Sequence, residues 1–421
     1  MSFKIFNFSD HISNGLKRLG YVSATPIQQK AIQPILDGRD LLGLAQTGTG
    51  KTAAFALPIL QNLSSGSNGN IKSLIISPTR ELAQQTYSYI QEFSRDLNIR
   101  CSVIYGGVSR DAQIRELKKG TDIVVACPGR LLDLANEGAI RLSKVEVLVL
   151  DEADQMFDQG FLPDIKRIIK KLPQKRQNLV FSATMPKEIR SLLEGLLVDP
   201  VKIEVDHTKP LTSITHTFFR VATNKKSTLL RSILKDGKVS TAIVFTRTKH
   251  KARNLAQQLS KNGFKATSLQ GNLSQQKRHQ ALNGFKTGTY DILVATDIAA
   301  RGIDVAGVSH VINYDMPGTS EDYIHRSGRT GRASLSGEAY TFATTEDDKM
   351  IRSLERTLKG GLVYKDSPGM AADNVVRTDN VVPAEKVVKK KTVANIRKNR
   401  QKVKGKRSSQ RNRAVSFDFG V

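Results

Sequence analysis

A chain of 421 residues exceeds the roughly 250–300 at which one hydrophobic core stops growing, so two domains and a tail are expected. Hydrophobic residues at 39% and charged residues at 25% fit a folded globular protein and exclude a fibrous or wholly disordered one. A formal net charge of +26 calls for a polyanionic partner, nucleic acid before membrane, because no lipidation or amphipathic signal accompanies it.

The start, MSFKIFNFSDH, lacks a basic end followed by an apolar stretch, and no apolar run approaches the roughly 18–20 residues needed to cross a bilayer. A cytoplasmic protein without a membrane partner is the expectation. Cys101 and Cys127 fall on segments read as strands of one domain, so they are expected to be buried thiols and not a disulfide or a metal site.

From Asp40 onward, short β-branched runs alternate with helical stretches. LLGLA (41–45), SLIIS (73–77), CSVIY (101–105), DIVVA (122–126), VEVLVL (145–150) and NLVFS (178–182) read as strands, with helices such as 80–97 and 163–172 between them. A second series follows in THTFFRV (215–221), AIVFT (242–246), ATSL (266–269), DILVAT (291–296), HVINY (310–314) and EAYTFA (338–343), with helices over 249–261 and 274–285. This alternation predicts α/β architecture with two tandem parallel sheets: domains at 1–206 and 207–360, a connector near 206–211, and a surface loop at 64–70 inside the first domain. The remainder, 361–421, is expected to be a disordered basic tail. Its stretch 386–413 holds thirteen Lys or Arg and no Asp or Glu, half of the net charge, which suits nonspecific binding of polyanions.

AQTGTGKT at 45–52 follows a predicted strand and opens a predicted helix, the context of a phosphate loop. Gly48 and Gly50 let backbone N–H groups turn inward around phosphate oxygens, with Ala45, Gln46, Thr47 and Thr49 completing the loop. Lys51 supplies a charge for the outer phosphates and Thr52 a hydroxyl for Mg²⁺. VEVLVLDEAD at 145–154 is a strand ending in carboxylates, where Asp151 would hold the metal and Glu152 would orient and deprotonate the attacking water. ATP and Mg²⁺ are the expected ligands.

The string DEAD at 151–154 is the signature of the DEAD-box ATP-dependent RNA helicases of superfamily 2, and residues 3 to about 358 resemble that family. PTRELA (78–83), GG (106–107), PGR (128–130), SAT (182–184), VFTRT (244–248), QGN (270–272), ATDIAARGID (295–304) and HRSGRTGR (325–332) follow in the family's order. The resemblance implies two RecA-like domains and RNA as the partner, gripped through its backbone without sequence preference. GYVSATPIQ at 20–28 is similar to the element that recognises adenine, with Phe3 stacking on the ring, Gln28 reading the base edge and Tyr21 beside them.

The same resemblance assigns Arg329 and Arg332 as arginine fingers and Asp304 as a ribose contact. It makes Asp154, Ser182, Thr184, His325 and Arg326 the link between domains. RNA contacts fall on Thr79, Arg80, Gly107, Arg130, Arg247, Gly271, Arg278 and Thr296. An RNA helicase is implied, with an ATP-gated RNA clamp or RNA–protein remodeller as the alternative, acting on targets such as ribosomal precursors or RNA-decay assemblies. The segment 171–186 and the short basic tail resemble the bacterial RhlE-type subgroup. Departures occur at Ala24, Cys127 and Gln155, none expected to touch phosphate, metal or attacking water.

Overall fold

The computed structural model describes residues 2–46, 48–64, 69–205, 214–300, 305, 307–331, 337–358 and 361–365. The predicted connector and nearly all of the basic tail lie outside these residues.

Two seven-stranded, all-parallel sheets form, both within one compact unit, Met1–Gly369. The first comprises β1 (Leu41–Leu44), β2 (Ser73–Ile76), β3 (Cys101–Ile104), β4 (Ile123–Ala126), β5 (Val147–Asp151), β6 (Gln177–Ser182) and β7 (Val201–Glu204), in the order β3-β4-β2-β5-β6-β1-β7. The second comprises β8 (Ile214–Arg220), β9 (Ala242–Phe245), β10 (Ala266–Leu269), β11 (Ile292–Ala295), β12 (His310–Asn313), β13 (Gly337–Ala343) and β14 (Leu362–Lys365), in the order β10-β11-β9-β12-β13-β8-β14.

The β-branched runs make these strands because both faces are covered by helices. In β2, Ile75 packs with Ile27, Phe55 and Val149 on one face, while Leu74 and Ile76 pack with Leu148, Leu150 and Val180 on the other. Central strands such as β2 and β4 therefore read as continuously apolar although their side chains alternate. All twelve predicted strands form. The two that the sequence reading missed, β7 and β14, are each the last strand of a sheet and pair with one neighbour only.

In the first sheet β5, β6 and β1 are adjacent, with Asp151 opposite Phe181 and Leu44 opposite Ser182. Parallel strands all point one way, so the segments leaving their carboxyl ends converge on one edge. The phosphate loop, DEAD and SAT are those segments for β1, β5 and β6; PTRELA, GG and PGR leave β2, β3 and β4. The edge thus splits into a nucleotide half and a second half carrying the proposed RNA motifs.

Candidate active site and nucleic-acid interface

The phosphate loop starts by extending the sheet: Ala45 N–H donates to the Ser182 carbonyl at 2.9 Å. The Gln46 carbonyl then accepts from Thr49 Oγ1 at 2.7 Å, which closes the turn. Gly48 and Gly50 have φ of 85° and 94°, a region that costs a side chain steric strain. A Cβ on Gly50 would also collide with Gln28 Nε2. Helix Lys51–Leu63 begins immediately after, so its N-terminal dipole and first N–H groups face the loop. Thr52 is half-buried in that first turn, and Thr47 lies outside the described residues.

The acidic cluster faces the loop from the neighbouring strands. Lys51 Nζ meets Glu152 Oε1 at 2.7 Å, with side chains only 5% and 1% exposed. Burial alone would lower the Lys51 pKa, but Glu152, Asp151 and Asp154 raise it above 10.5, so the ammonium is held charged. Asp151 is pushed up to about 7, first by burial and then by Glu152 and Asp154, with Lys51 opposing. Its Oδ1 is buried and accepts from no group among the described residues, a cost that a cation would relieve. Glu152 adopts left-handed backbone angles, φ 56° and ψ 54°, and sits as the cap of helix Ala153–Asp158. Such a non-glycine conformation costs energy and persists only where surrounding structure enforces it.

Asp154, Ser182 and Thr184 are brought together within the first half. Asp154 Oδ2 accepts from the Ala183 and Thr184 backbone N–H groups at 3.0 and 2.8 Å and from Thr184 Oγ1 at 3.2 Å. Ser182 Oγ accepts from Asp154 N–H at 3.2 Å and donates to the Thr184 carbonyl at 2.7 Å. Three hydrogen bonds on one carboxylate oxygen lock DEAD to SAT.

The segment read as the adenine element turns its groups partly inward. Gln28 is buried; its Oε1 accepts from Thr25 N–H at 2.8 Å and its Nε2 donates to the Gly50 carbonyl at 3.1 Å. It therefore caps its own helix, Pro26–Leu36, and braces the phosphate loop. Phe3 is also buried, its ring centroid 6.1 Å from Tyr21 and 6.4 Å from Phe6, with Tyr21 5.4 Å from Phe93.

On the other half of the edge, Thr79 caps helix Arg80–Phe93 by accepting from Leu82 N–H at 3.3 Å. Gly107, at φ 82°, has no room for a side chain because a Cβ would collide with the Arg80 guanidinium. Arg130 Nη1 donates to the Val108 carbonyl and Gln113 Oε1 at 3.4 and 3.3 Å. Thr79, Arg80, Gly107 and Arg130 thus occupy one neighbourhood.

In the second sheet the exposed Arg247 follows β9, the exposed Gly271 follows β10 and the half-buried Thr296 follows β11, all at carboxyl ends. Arg278 has a partner the motif list did not announce. Its Nε donates to Glu81 Oε1 at 2.6 Å, and Gln275 Nε2 donates to the same oxygen at 3.1 Å, a buried contact between the two halves of the chain.

Arg326, expected to reach the acidic motif, is instead taken up within its own half. It pairs with both oxygens of Asp297 at 2.6 and 2.7 Å, donates to Asn313 Oδ1 and the Asp315 carbonyl, and stacks 5.0 Å from the Phe245 ring centroid. A buried guanidinium needs such a full set of acceptors. Arg329 is 2% exposed, three residues further on. His325 is half-buried, while Asp304 and Arg332 lie outside the described residues.

Two residues the sequence reading left without a role belong to the site. Glu81 anchors Arg278. Gln155, counted among departures remote from the chemistry, donates from Nε2 to Glu152 Oε2 at 2.9 Å. Glutamate in PTRELA was visible as a charge on a helix, but its partner lies 197 residues away and no local pattern reveals that.

Comparison with known proteins agrees with this geometry. Residues 25–192 match the DEAD/DEAH box helicase model and residues 225–334 the helicase conserved C-terminal domain. The chain is 44% identical over 358 residues to the ATP-dependent RNA helicase CshA of Listeria monocytogenes, covering 85% of this chain and 69% of that one. It is 42% identical over 360 residues to the DEAD-box ATP-dependent RNA helicase CshA of Bacillus subtilis, covering 85% and 73%. Among solved structures it superposes on S. cerevisiae Dbp5 bound to RNA and ADP BeF3 with TM-score 0.79 and 27% identity, covering 87% and 96% of the two chains. Mss116p bound to ssRNA and AMP-PNP gives 0.78 and 28%, covering 86% and 78%. With its two sheets, its phosphate loop facing DEAD, and relatives of this identity and coverage, the chain belongs to the DEAD-box family of ATP-dependent RNA helicases.

Proposed function

We infer that RNA switches on ATP hydrolysis in this protein, and that the cycle separates short RNA duplexes or remodels RNA structure. The observation that carries this reading is the division of the site. Loop and carboxylates stand on the first sheet, Arg329 stands in the second half, and Glu81 and Arg278 join the halves beside the RNA motifs.

Within this reading Lys51 turns its ammonium from Glu152 to the outer phosphates, and Glu152 then orients the attacking water and takes its proton. Arg329, with Arg332, brings positive charge to the departing phosphate; such fingers contribute on the order of 10³–10⁵ in rate. Thr52 and Asp151 fit Mg²⁺, whose charge would screen the phosphate oxygens. Thr79, Arg80, Gly107, Arg130, Arg247, Gly271 and Thr296 would grip the RNA backbone, and the fixed-charge contacts make the grip independent of sequence. Arg278 is better read as the closure contact than as a phosphate ligand. ATP and RNA, bound across the same two halves, then each raise the affinity for the other.

At the finer level, similarity to CshA helicases favours that branch over the RhlE type suggested by 171–186. A cytoplasmic role on ribosomal precursors or in RNA decay is consistent with an RNA-binding charge of +26. Among the described residues no helix is long and apolar enough to cross a membrane.

The direct test is ATP hydrolysis with RNA or with DNA of the same sequence. RNA alone should stimulate; equal stimulation by DNA would assign a DNA translocase instead.

A further inference from the structure

We propose that Gln155 is a positioning residue for hydrolysis: its side-chain amide holds the Glu152 carboxylate in the orientation that receives the attacking water. This rests on the reading of Glu152 given above.

The geometry is a clamp on both carboxylate oxygens. Glu152 Oε1 pairs with Lys51 Nζ at 2.7 Å and Oε2 accepts from Gln155 Nε2 at 2.9 Å, with Lys51, Glu152 and Gln155 5%, 1% and 2% exposed. Gln155 is itself fixed, since its backbone N–H donates to Asp154 Oδ1 at 3.0 Å and its carbonyl accepts from Gln159 N–H at 3.1 Å in the following turn. The amide therefore reaches Glu152 from a helix anchored to the DEAD carboxylates.

The two clamps cannot serve the same part of the cycle. Lys51 is the cation of the phosphate loop, and an ammonium drawn to phosphate oxygens is withdrawn from Glu152. Gln155 remains, because a neutral amide three residues past Glu152 carries no charge for a phosphate to draw away. A donor at this position fixes the direction of the carboxylate whichever side chain supplies it.

A purely structural role explains the residue less well. Gln155 Oε1 is buried and accepts from no group among the described residues, an unmet hydrogen bond that opposes folding. An apolar side chain of the same size would fill this space without that cost. The side-chain group of Gln155 that is satisfied is the one touching the Glu152 carboxylate.

The experiment is steady-state ATP hydrolysis at saturating RNA by the full-length chain, Gln155→Met and Gln155→Arg. Methionine keeps the bulk and removes the donor; arginine supplies N–H donors again. Gln155→Met should lower kcat about tenfold, a modest part of the 10²–10⁴-fold that general-base catalysis contributes. KM for ATP and for RNA should stay within about twofold, because binding does not use this amide. Gln155→Arg should recover most of the lost kcat. The proposal is overturned if Gln155→Met keeps its kcat, if KM rises while kcat is kept, or if Gln155→Arg is as impaired as Gln155→Met. Should Gln155→Met fail to fold, Gln155→Leu, also apolar and lacking the donor, replaces it with the same outcomes. A parent protein without RNA-stimulated hydrolysis would sink the reading of Glu152 itself, a result distinct from these.

Discussion

Glu81 and Arg278 sit 197 positions apart, on helices that follow different sheets, and meet at 2.6 Å with side chains 8% and 11% exposed. In this arrangement the first half of the chain contributes an anion from PTRELA and the second a guanidinium steadied on the Gln270 carbonyl at 3.3 Å. The contact exists only when the halves are together, so its energy belongs to closure.

Removing Glu81 takes the charged partner from a mostly buried guanidinium that keeps only the Gln270 carbonyl among the described residues, at a cost of about 3 kcal/mol to the closed form, the low end for a broken buried pair. Glu81→Ala should therefore raise the RNA concentration for half-maximal ATP hydrolysis strongly, with unstimulated hydrolysis unchanged. Exchanging the charges in Glu81→Arg with Arg278→Glu should recover part of the loss. Unaltered RNA dependence in Glu81→Ala would exclude the latch.

The same pair sets a pH dependence. Burial would raise the Glu81 pKa, but hydrogen bonding and charge from Arg278 overcome it and hold the carboxyl below its ordinary 4.5. A folded pKa lower than the unfolded one means the contribution is complete above pH 4.5 and fades as pH falls through the lowered value. RNA binding by the parent should thus hold level from neutrality to about pH 5 and weaken below it, with Glu81→Gln showing a flatter acid limb in a fluorescence titration.

Ten of the twelve strands legible in the sequence lie between two neighbours, and β3 and β10, at the opposite edges, were legible through uncharged runs that carry β-branched residues. β7 and β14 escaped because exposed charged residues, Lys202 and Glu204 in one and Lys365 in the other, break or end their apolar runs. The phosphate loop, DEAD and SAT were equally legible, since each is a local string whose chemistry needs those residues in that order. Glu81, Gln155 and the inward uses of Gln28 and Arg326 were not, because each depends on a partner fixed only by folding.

Lys51→Met should abolish ATP binding and also destabilise the fold by about 3–5 kcal/mol, because Glu152 is left charged and buried. Combining it with Glu152→Gln should return much of that stability in urea unfolding without restoring nucleotide binding. Equal stability of Lys51→Met and the parent would show the pair to be energetically idle.

Cys127 stands at the cap position of helix Pro128–Asn136, with extended backbone angles and no side-chain cap bond. Cys127→Thr should stabilise the chain by about 1 kcal/mol through a cap hydrogen bond, readable as a higher Tm. Burial pushes the Cys127 thiol up to about 12 and also raises Cys101, so neither should react with a thiol reagent at pH 8 until the chain is unfolded.

Deleting residues 380–421 removes the thirteen-cation stretch, and RNA affinity should fall together with the steepness of its salt dependence, by about 0.7 in slope for each lost single-strand phosphate contact. Hydrolysis without RNA should not change. An identical salt slope would rule out the tail as an RNA-binding arm.

The central claim is that hydrolysis at the Lys51–Glu152 site drives separation of RNA strands. Displacement of one strand from a short RNA duplex in the presence of ATP, compared between the parent and Glu152→Gln, reads it directly. The parent should release the strand in repeated turnovers while Glu152→Gln binds RNA and ATP but releases little. Equal displacement by both, or none by either, would contradict the helicase reading and leave an ATP-gated clamp in its place.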